Sequence, residues 1–235
     1  MRILTMAIAL LPLSFATACL PVPNAGKIED VDIPFHEEAF LATGERVVVL
    51  GGAEDAVGED YFAQCLREEL TEADPPVPLI AAGEVQDALF PWFEPDTRPE
   101  SETEFAAFLA RPGVSERLED LKLRHVLLVA GSTSEGKMAG AEAVIAGAYG
   151  SKQRTTLSAK VIDMKSATVL GDAGVRAAAA GGIVHVMLYG VILVPTTDST
   201  ACTGLARQLG AIFAGRAPPP IGSGPAADPT RSAER

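Results

Sequence analysis

Short apolar runs alternate with amphipathic stretches along the chain. ERVVVLGG (45–52) is a β-branched run closed by two glycines, which predicts a buried strand, and RHVLLVAG (124–131) predicts a second one. Between them, residues 60–72 place Leu66 and Leu70 four positions apart on one apolar face. That spacing predicts an amphipathic helix.

The remaining pattern mixes the two periodicities. It predicts a short strand at VPLIA (77–81), helices at 101–110 and 115–123, a Gly/Ser loop at 131–140 and a final helix within 196–213. TTLSAKVIDMKSATVLGDAGVRAAA (155–179) carries two nearly alternating runs around MKSA, which predicts an antiparallel hairpin. We therefore expect a single domain of the α/β (α+β) class, with a mixed sheet, an antiparallel hairpin and helices packed on the sheet.

The first residues have the order of a secretory signal. Arg2 precedes an apolar stretch, Ile3 to Phe15, and the small residues 16–18 follow. The apolar stretch is shorter than the roughly 20 residues of a membrane-spanning helix. We predict a signal peptide at 1–18, an N-terminal tether at 19–43, the domain at 44–215 and a disordered tail at 216–235.

Two cleavage routes fit the end of this leader. Ala16-Thr17-Ala18 matches the A-x-A pattern of ordinary signal peptidase, whereas the same residues before Cys19 resemble a bacterial lipobox, in which the cysteine receives lipid. The position three residues before the cysteine is Ala16, where a lipobox usually has leucine. The expectation is lipid attachment at Cys19; the alternative is a soluble protein with an ordinary signal.

Cysteine parity bears on the same choice. The chain has three cysteines, Cys19, Cys65 and Cys202, and an odd thiol needs an explanation in an oxidising compartment. Lipid on Cys19 leaves an even pair on two predicted helices. A Cys65–Cys202 disulfide is therefore a candidate, and two buried reduced cysteines are the alternative.

Charge excludes some partners and is unevenly distributed. The net charge of −12 argues against a general affinity for nucleic acid or anionic lipid headgroups. Residues 51–104 hold fifteen acidic side chains and only two basic ones, Arg67 and Arg98. This is either a solvated acidic face or a docking face for a basic partner.

The hairpin segment LSAKVIDMKSATVLGDAGVR (157–176) resembles the strand, Asp-x-Lys-x turn and strand of a group of bacterial envelope lipoproteins. These share the small α/β domain of the TolB N-terminal domain and the curli-secretion lipoprotein. The strand at 45–52, the helix bearing Cys65 and the last helix follow the same order, over residues 44–214. The resemblance implies a domain for protein contact without catalysis. The turn position that usually holds glycine is Ala167 here.

Few residues suggest chemistry. GSTSEGK (131–137) matches the phosphate-loop spacing, but Met138 replaces the Ser or Thr that holds magnesium. His36, His125 and His185 lack the close spacing of a zinc site. We therefore predict no catalytic, cofactor-binding or metal-binding residues and no cofactor.

Two apolar segments have open interpretations. The aromatic residues of LFPWFEP (89–95) close the core or form a recognition patch. The run GIVHVMLYGVILVP (182–195) is a buried strand or strand pair, or a hairpin that touches the membrane or another copy of the chain.

These observations predict a non-catalytic lipoprotein of the bacterial envelope with a protein-binding or assembly role, anchored to the outer membrane through its N-terminal lipid and facing the periplasm. Its expected partner is an unidentified envelope protein, and oligomers are possible. The alternatives are a soluble periplasmic enzyme with an unrecognised site, and a subunit of a membrane-contacting oligomer.

Overall fold

The structure is a computed structural model that describes residues 21–34, 39–51, 59–93, 97, 99, 102–137, 149–186 and 189–220. The strands are β1 (Pro21–Ala25), β2 (Lys27–Asp32), β3 (Arg46–Gly51), β4 (Leu79–Ile80), β5 (Leu123–Lys137), β6 (Tyr149–Asp163), β7 (Thr168–Val186) and β8 (Tyr189–Thr196). The helices are α1 (Glu59–Thr71), α2 (Ala82–Leu89), α3 (Glu102–Leu109), α4 (Val114–Leu121) and α5 (Thr197–Phe213).

One mixed sheet organises the described domain, which confirms the predicted fold class. Its strand order is β1-β8-β7-β6-β5-β3-β4, and β2 pairs with β7 beside that path. The β4–β3–β5 part is parallel, and β5–β6–β7–β8 is antiparallel. The parallel strands are joined by helices, as such connections require, and the antiparallel strands follow one another along the chain.

Each sheet face has its own apolar core. Alternate strand residues such as Val49, Leu127 and Leu157 join α1 and α5 in one cluster. Their neighbours, such as Val48 and Val126, join α2, α3 and α4 in the other. Burial on both faces explains why β3 reads as a continuous apolar run.

The predicted hairpin is present as β6 and β7. Its turn begins at Asp163, whose Oδ1 accepts the backbone N–H of Lys165 at 2.8 Å, and whose Oδ2 accepts Arg124 Nη2 at 2.8 Å. Ala167 has φ 58°, a left-handed conformation that favours glycine. The Asp-x-Lys-x sequence therefore works as a side-chain cap on the turn.

Two strands occupy part of the segment predicted as a tether. β1 lies parallel to β8, with Pro21 opposite Ile192, and β2 lies antiparallel to β7. Pro21 and Pro23 are two residues apart on the outermost strand, so both missing N–H groups can face away from β8. The ordered domain thus begins close to the predicted cleavage site.

The apolar run at 182–195 forms a hairpin between the end of β7 and β8, with Ile183 opposite Ile192. The side chains of 180–196 lie outside the described part, and so does the question of what they face. In the predicted tail, Gln208 Nε2 donates to the Pro219 carbonyl at 2.8 Å, and 221–235 lie outside the described residues.

Candidate functional site

A disulfide joins the two helices that cover one sheet face. Cys65 on α1 and Cys202 on α5 are bonded, with Cα atoms 6.0 Å apart and 137 positions between them in sequence. Cys202 is fully buried, and α1 and α5 pack side by side on the sheet. The pairing predicted from parity is present in the structure, while Cys19 lies outside the described residues.

The phosphate-loop-like stretch is a strand rather than the predicted loop. Residues 131–137 continue β5 and pair with β6 up to Lys137 opposite Ser151. Thr133 Oγ1 donates to Asp198 Oδ1 at 2.6 Å, in the first turn of α5. An extended backbone cannot wrap its N–H groups around a phosphate as such a loop does, so the expected loop at 131–137 is wrong and the spacing is coincidental.

The described histidine, His125, is a core residue. It is fully buried on β5 and stacks on Phe213, with ring centroids 5.7 Å apart. Burial disfavours the charged ring and lowers its pKa to about 4, although the nearby Asp163 carboxylate opposes this. His36 lies outside the described residues, and of His185 only the backbone is described, in β7. Among the described residues, no group of three potential ligands is close enough to hold a metal ion.

The aromatic segment divides between core and surface. Phe93 is buried and packs with Phe108 at 5.5 Å between centroids, whereas Phe90 is 60% exposed. The Arg117 guanidinium lies 5.2 Å from the centre of the Trp92 ring and donates to the Phe90 carbonyl at 3.2 Å. Both interpretations of this stretch therefore hold, each for a different residue.

An open cleft of about 640 Å³ lies between the C-terminal half of α1 and strand β4. Its lining residues are Arg67, Glu68, Thr71 and Glu72 from the helix side and Leu79, Ile80 and Ala81 from the strand side. β4 is the last strand on this side of the sheet, so one of its edges faces the cleft. The cleft thus combines a helix end, a short strand edge and charged side chains.

The strand edge in the cleft has unused main-chain groups. Val47 N–H donates to the Pro78 carbonyl at 2.9 Å, and Ile80 is the register partner of Val48. Because peptide groups alternate in direction along a parallel strand, the N–H and C=O of Leu79 point away from β3. Within the described part of the chain, these two groups have no hydrogen-bond partner.

Charge at this end of α1 is unfavourable for a helix. The last turn has no basic residue, although a helix C-terminus favours cations. Four acidic side chains lie at or just beyond this end: Glu68, Glu69, Glu72 and Asp74. Two arginines are nearby, Arg67 in the cleft lining and Arg216, whose Nη2 donates to the Asp74 carbonyl. Negative charge therefore dominates here.

Sequence reasoning singled out the acidic region but missed this cleft. The available signal was the short apolar run after the prolines of ADPPVP, next to a helix that ends in acidic residues. Only the fold shows that this run is an edge strand and that it lies against α1.

No family model and no curated protein matches the chain. Two solved structures align with it, both of PelC from Paraburkholderia phytofirmans: a single-substitution variant described as a dodecamer in space group C2, and a dodecamer in space group P6. Each covers 80% of this chain at 12% identity, and this chain covers 99% and 98% of theirs, with TM-scores of 0.39 and 0.34. These scores are too low to assign a function.

Proposed function

We propose that the protein is an exported envelope lipoprotein, anchored through Cys19, whose α/β domain binds another envelope protein. The observation that carries this proposal is the Cys65–Cys202 disulfide, which uses two of the three cysteines and leaves Cys19 as the odd one. Disulfides persist in compartments outside the cytosol, and acylation removes a thiol that would otherwise be reactive there. The signal-like leader before Cys19 supports the same route.

The anchor would hold the domain close to the bilayer. Only Leu20 separates Cys19 from Pro21, the first residue of β1. Two extended residues span about 7 Å. A lipid on Cys19 would therefore place the β1–β8 edge of the sheet next to the membrane surface. In the described part of the chain, no helix has the length and hydropathy needed to cross a membrane.

A binding role fits the positions of the buried polar groups. Asp163 caps the β6–β7 turn and pairs with Arg124, and His125 stacks within the core. Each of these groups has a structural role in the fold. The open features, by contrast, are the cleft beside β4 and the exposed Phe90, which are suited to contacts with another macromolecule.

Mass spectrometry of the mature N-terminus, together with cell fractionation, tests the anchor. We expect an acylated Cys19 as the first residue and the protein in the outer-membrane fraction. Cys19→Ala should release a soluble protein that retains the Cys65–Cys202 bond. An unmodified wild-type N-terminus in the soluble fraction would overturn the lipoprotein proposal.

A second candidate function, a subunit of a membrane-contacting oligomer, is favoured by the apolar hairpin of β7 and β8. Its strands continue from the sheet edge that the anchor would bring to the bilayer. Light scattering of the purified Cys19→Ala chain, with and without vesicles, tests it. A monomer that does not bind vesicles would eliminate this candidate.

A further inference from the structure

We infer that the cleft between α1 and β4 binds an extended, positively charged segment of a partner protein, which adds to β4 as a new edge strand. The inference rests on the proposed binding function and names its site and the chemistry of its partner. Three independent features support it: the main-chain groups of Leu79, the charge at the end of α1, and the dimensions of the cleft.

The main-chain groups specify an extended partner. The N–H and C=O of Leu79 both point out of the sheet, into the side of β4 that faces the cleft. In an antiparallel pair, two opposed residues exchange both of their hydrogen bonds. One partner residue opposite Leu79 therefore satisfies both groups at once. Strand addition to an open sheet edge is a general mode of peptide recognition, with specificity provided by the flanking side chains.

The flanking side chains specify the partner's charge. Glu68 and Glu72 line the cleft on the side opposite Leu79, and α1 ends between them at Thr71. Their carboxylates add to the negative end of the helix dipole, so the local field attracts a cation. Arg67 and Arg216 offset only part of this charge, because four acidic side chains surround the same end. A lysine or arginine of the partner supplies the missing cation.

The dimensions specify a short contact. The helix residues of the lining run from Arg67 to Glu72, a rise of about 7.5 Å. An extended chain covers this distance with two or three residues. With one residue opposite Leu79, the next residue on either side lies at the level of the glutamates. The cleft thus selects an extended segment with a basic residue beside the paired position.

The experiment titrates the purified Cys19→Ala chain with the six-residue peptide acetyl-(Lys-Val)₃-amide, followed by backbone amide NMR. The matched probe is acetyl-(Glu-Val)₃-amide. We expect saturable shifts confined to residues 67–72 and 79–81 for the lysine peptide, weakened by salt, and none for the glutamate peptide. The Leu79 amide is expected to move downfield as it gains a hydrogen bond.

Two variants separate the backbone from the charge contribution. Leu79→Pro removes the outward N–H but no bond to β3, and should abolish binding, whereas Leu79→Val should retain it. Glu68→Lys with Glu72→Lys should weaken the lysine peptide about tenfold or more. Glu116→Lys with Glu119→Lys on α4 is the control with the same change in net charge. If Leu79→Pro fails to fold, Glu68→Gln with Glu72→Gln takes its place and should weaken binding.

Shifts spread over the whole acidic surface, or equal binding by all folded variants, would overturn the cleft inference. This outcome is separate from failure of the lipoprotein proposal, because the peptide titration does not depend on acylation of Cys19. Conversely, an acylated chain that ignores the lysine peptide would retain the anchor and lose this site.

Discussion

Removing the Cys65–Cys202 cross-link should destabilise the domain strongly. The bond closes a loop of 137 positions and joins the helices that cover one face of the sheet. In the chain-entropy model, a loop of this size restricts the unfolded chain by about 5 kcal/mol, and removal of native disulfides typically costs about 2–5 kcal/mol. Cys65→Ala with Cys202→Ala should lose a similar amount, plus a small packing contribution at the fully buried Cys202.

Urea unfolding of oxidised and reduced wild type and of the double variant measures this difference. The free energy of unfolding should fall by at least about 2 kcal/mol on reduction, and the urea dependence should steepen because the unfolded chain expands. Reductant should leave the double variant unchanged, which controls for effects on other groups. Equal stability of the oxidised and reduced wild type would refute the reasoning.

Three further predictions concern single positions. The pKa of His125, lowered to about 4 by burial, means that the unfolded state takes up the proton first, so stability is full above pH 6.5 and falls by about 3 kcal/mol towards pH 4. His125→Leu should remove this part of the pH dependence of thermal unfolding. Ala167→Gly should stabilise the domain by up to about 1 kcal/mol, because φ 58° costs alanine but not glycine; a loss of stability would contradict this account of the turn. Gly131→Ala should cost about 1–3 kcal/mol, since the new Cβ would lie 2.5 Å from the ring of the buried Phe62, while Gly136→Ala, with open space around it, is the control.

Alternation and turn chemistry were enough to predict the centre of the domain. The β6–β7 hairpin follows from side chains that alternate between two faces and from an aspartate that can cap its own turn. The strand at 46–51 follows from an uninterrupted β-branched run. These signals are local, so the sequence alone carries them.

The misread segments depend on distant partners. Gly131 to Lys137 has the composition of a loop, but β6 supplies a complete ladder of hydrogen bonds, and this pairing overrides the weak local preference. The prolines of β1 argue against a strand unless it lies at an edge, which only the topology shows. The cleft was missed for the same reason, because neither Leu79 nor Glu72 indicates its neighbour across the fold.

The pairing of β1 with β8 sets an order of assembly. Pro21 lies opposite Ile192, so the first ordered residues of the chain close the sheet beside its last strand. A chain exported with its N-terminus leading delivers β1 and β2 long before β7 and β8 have crossed. Such distant pairings close late, because loop closure must precede the contacts that reward it. The segment nearest the anchor would therefore stay unpaired while the rest of the domain arrives, and its docking would mark the completion of the fold at the membrane surface.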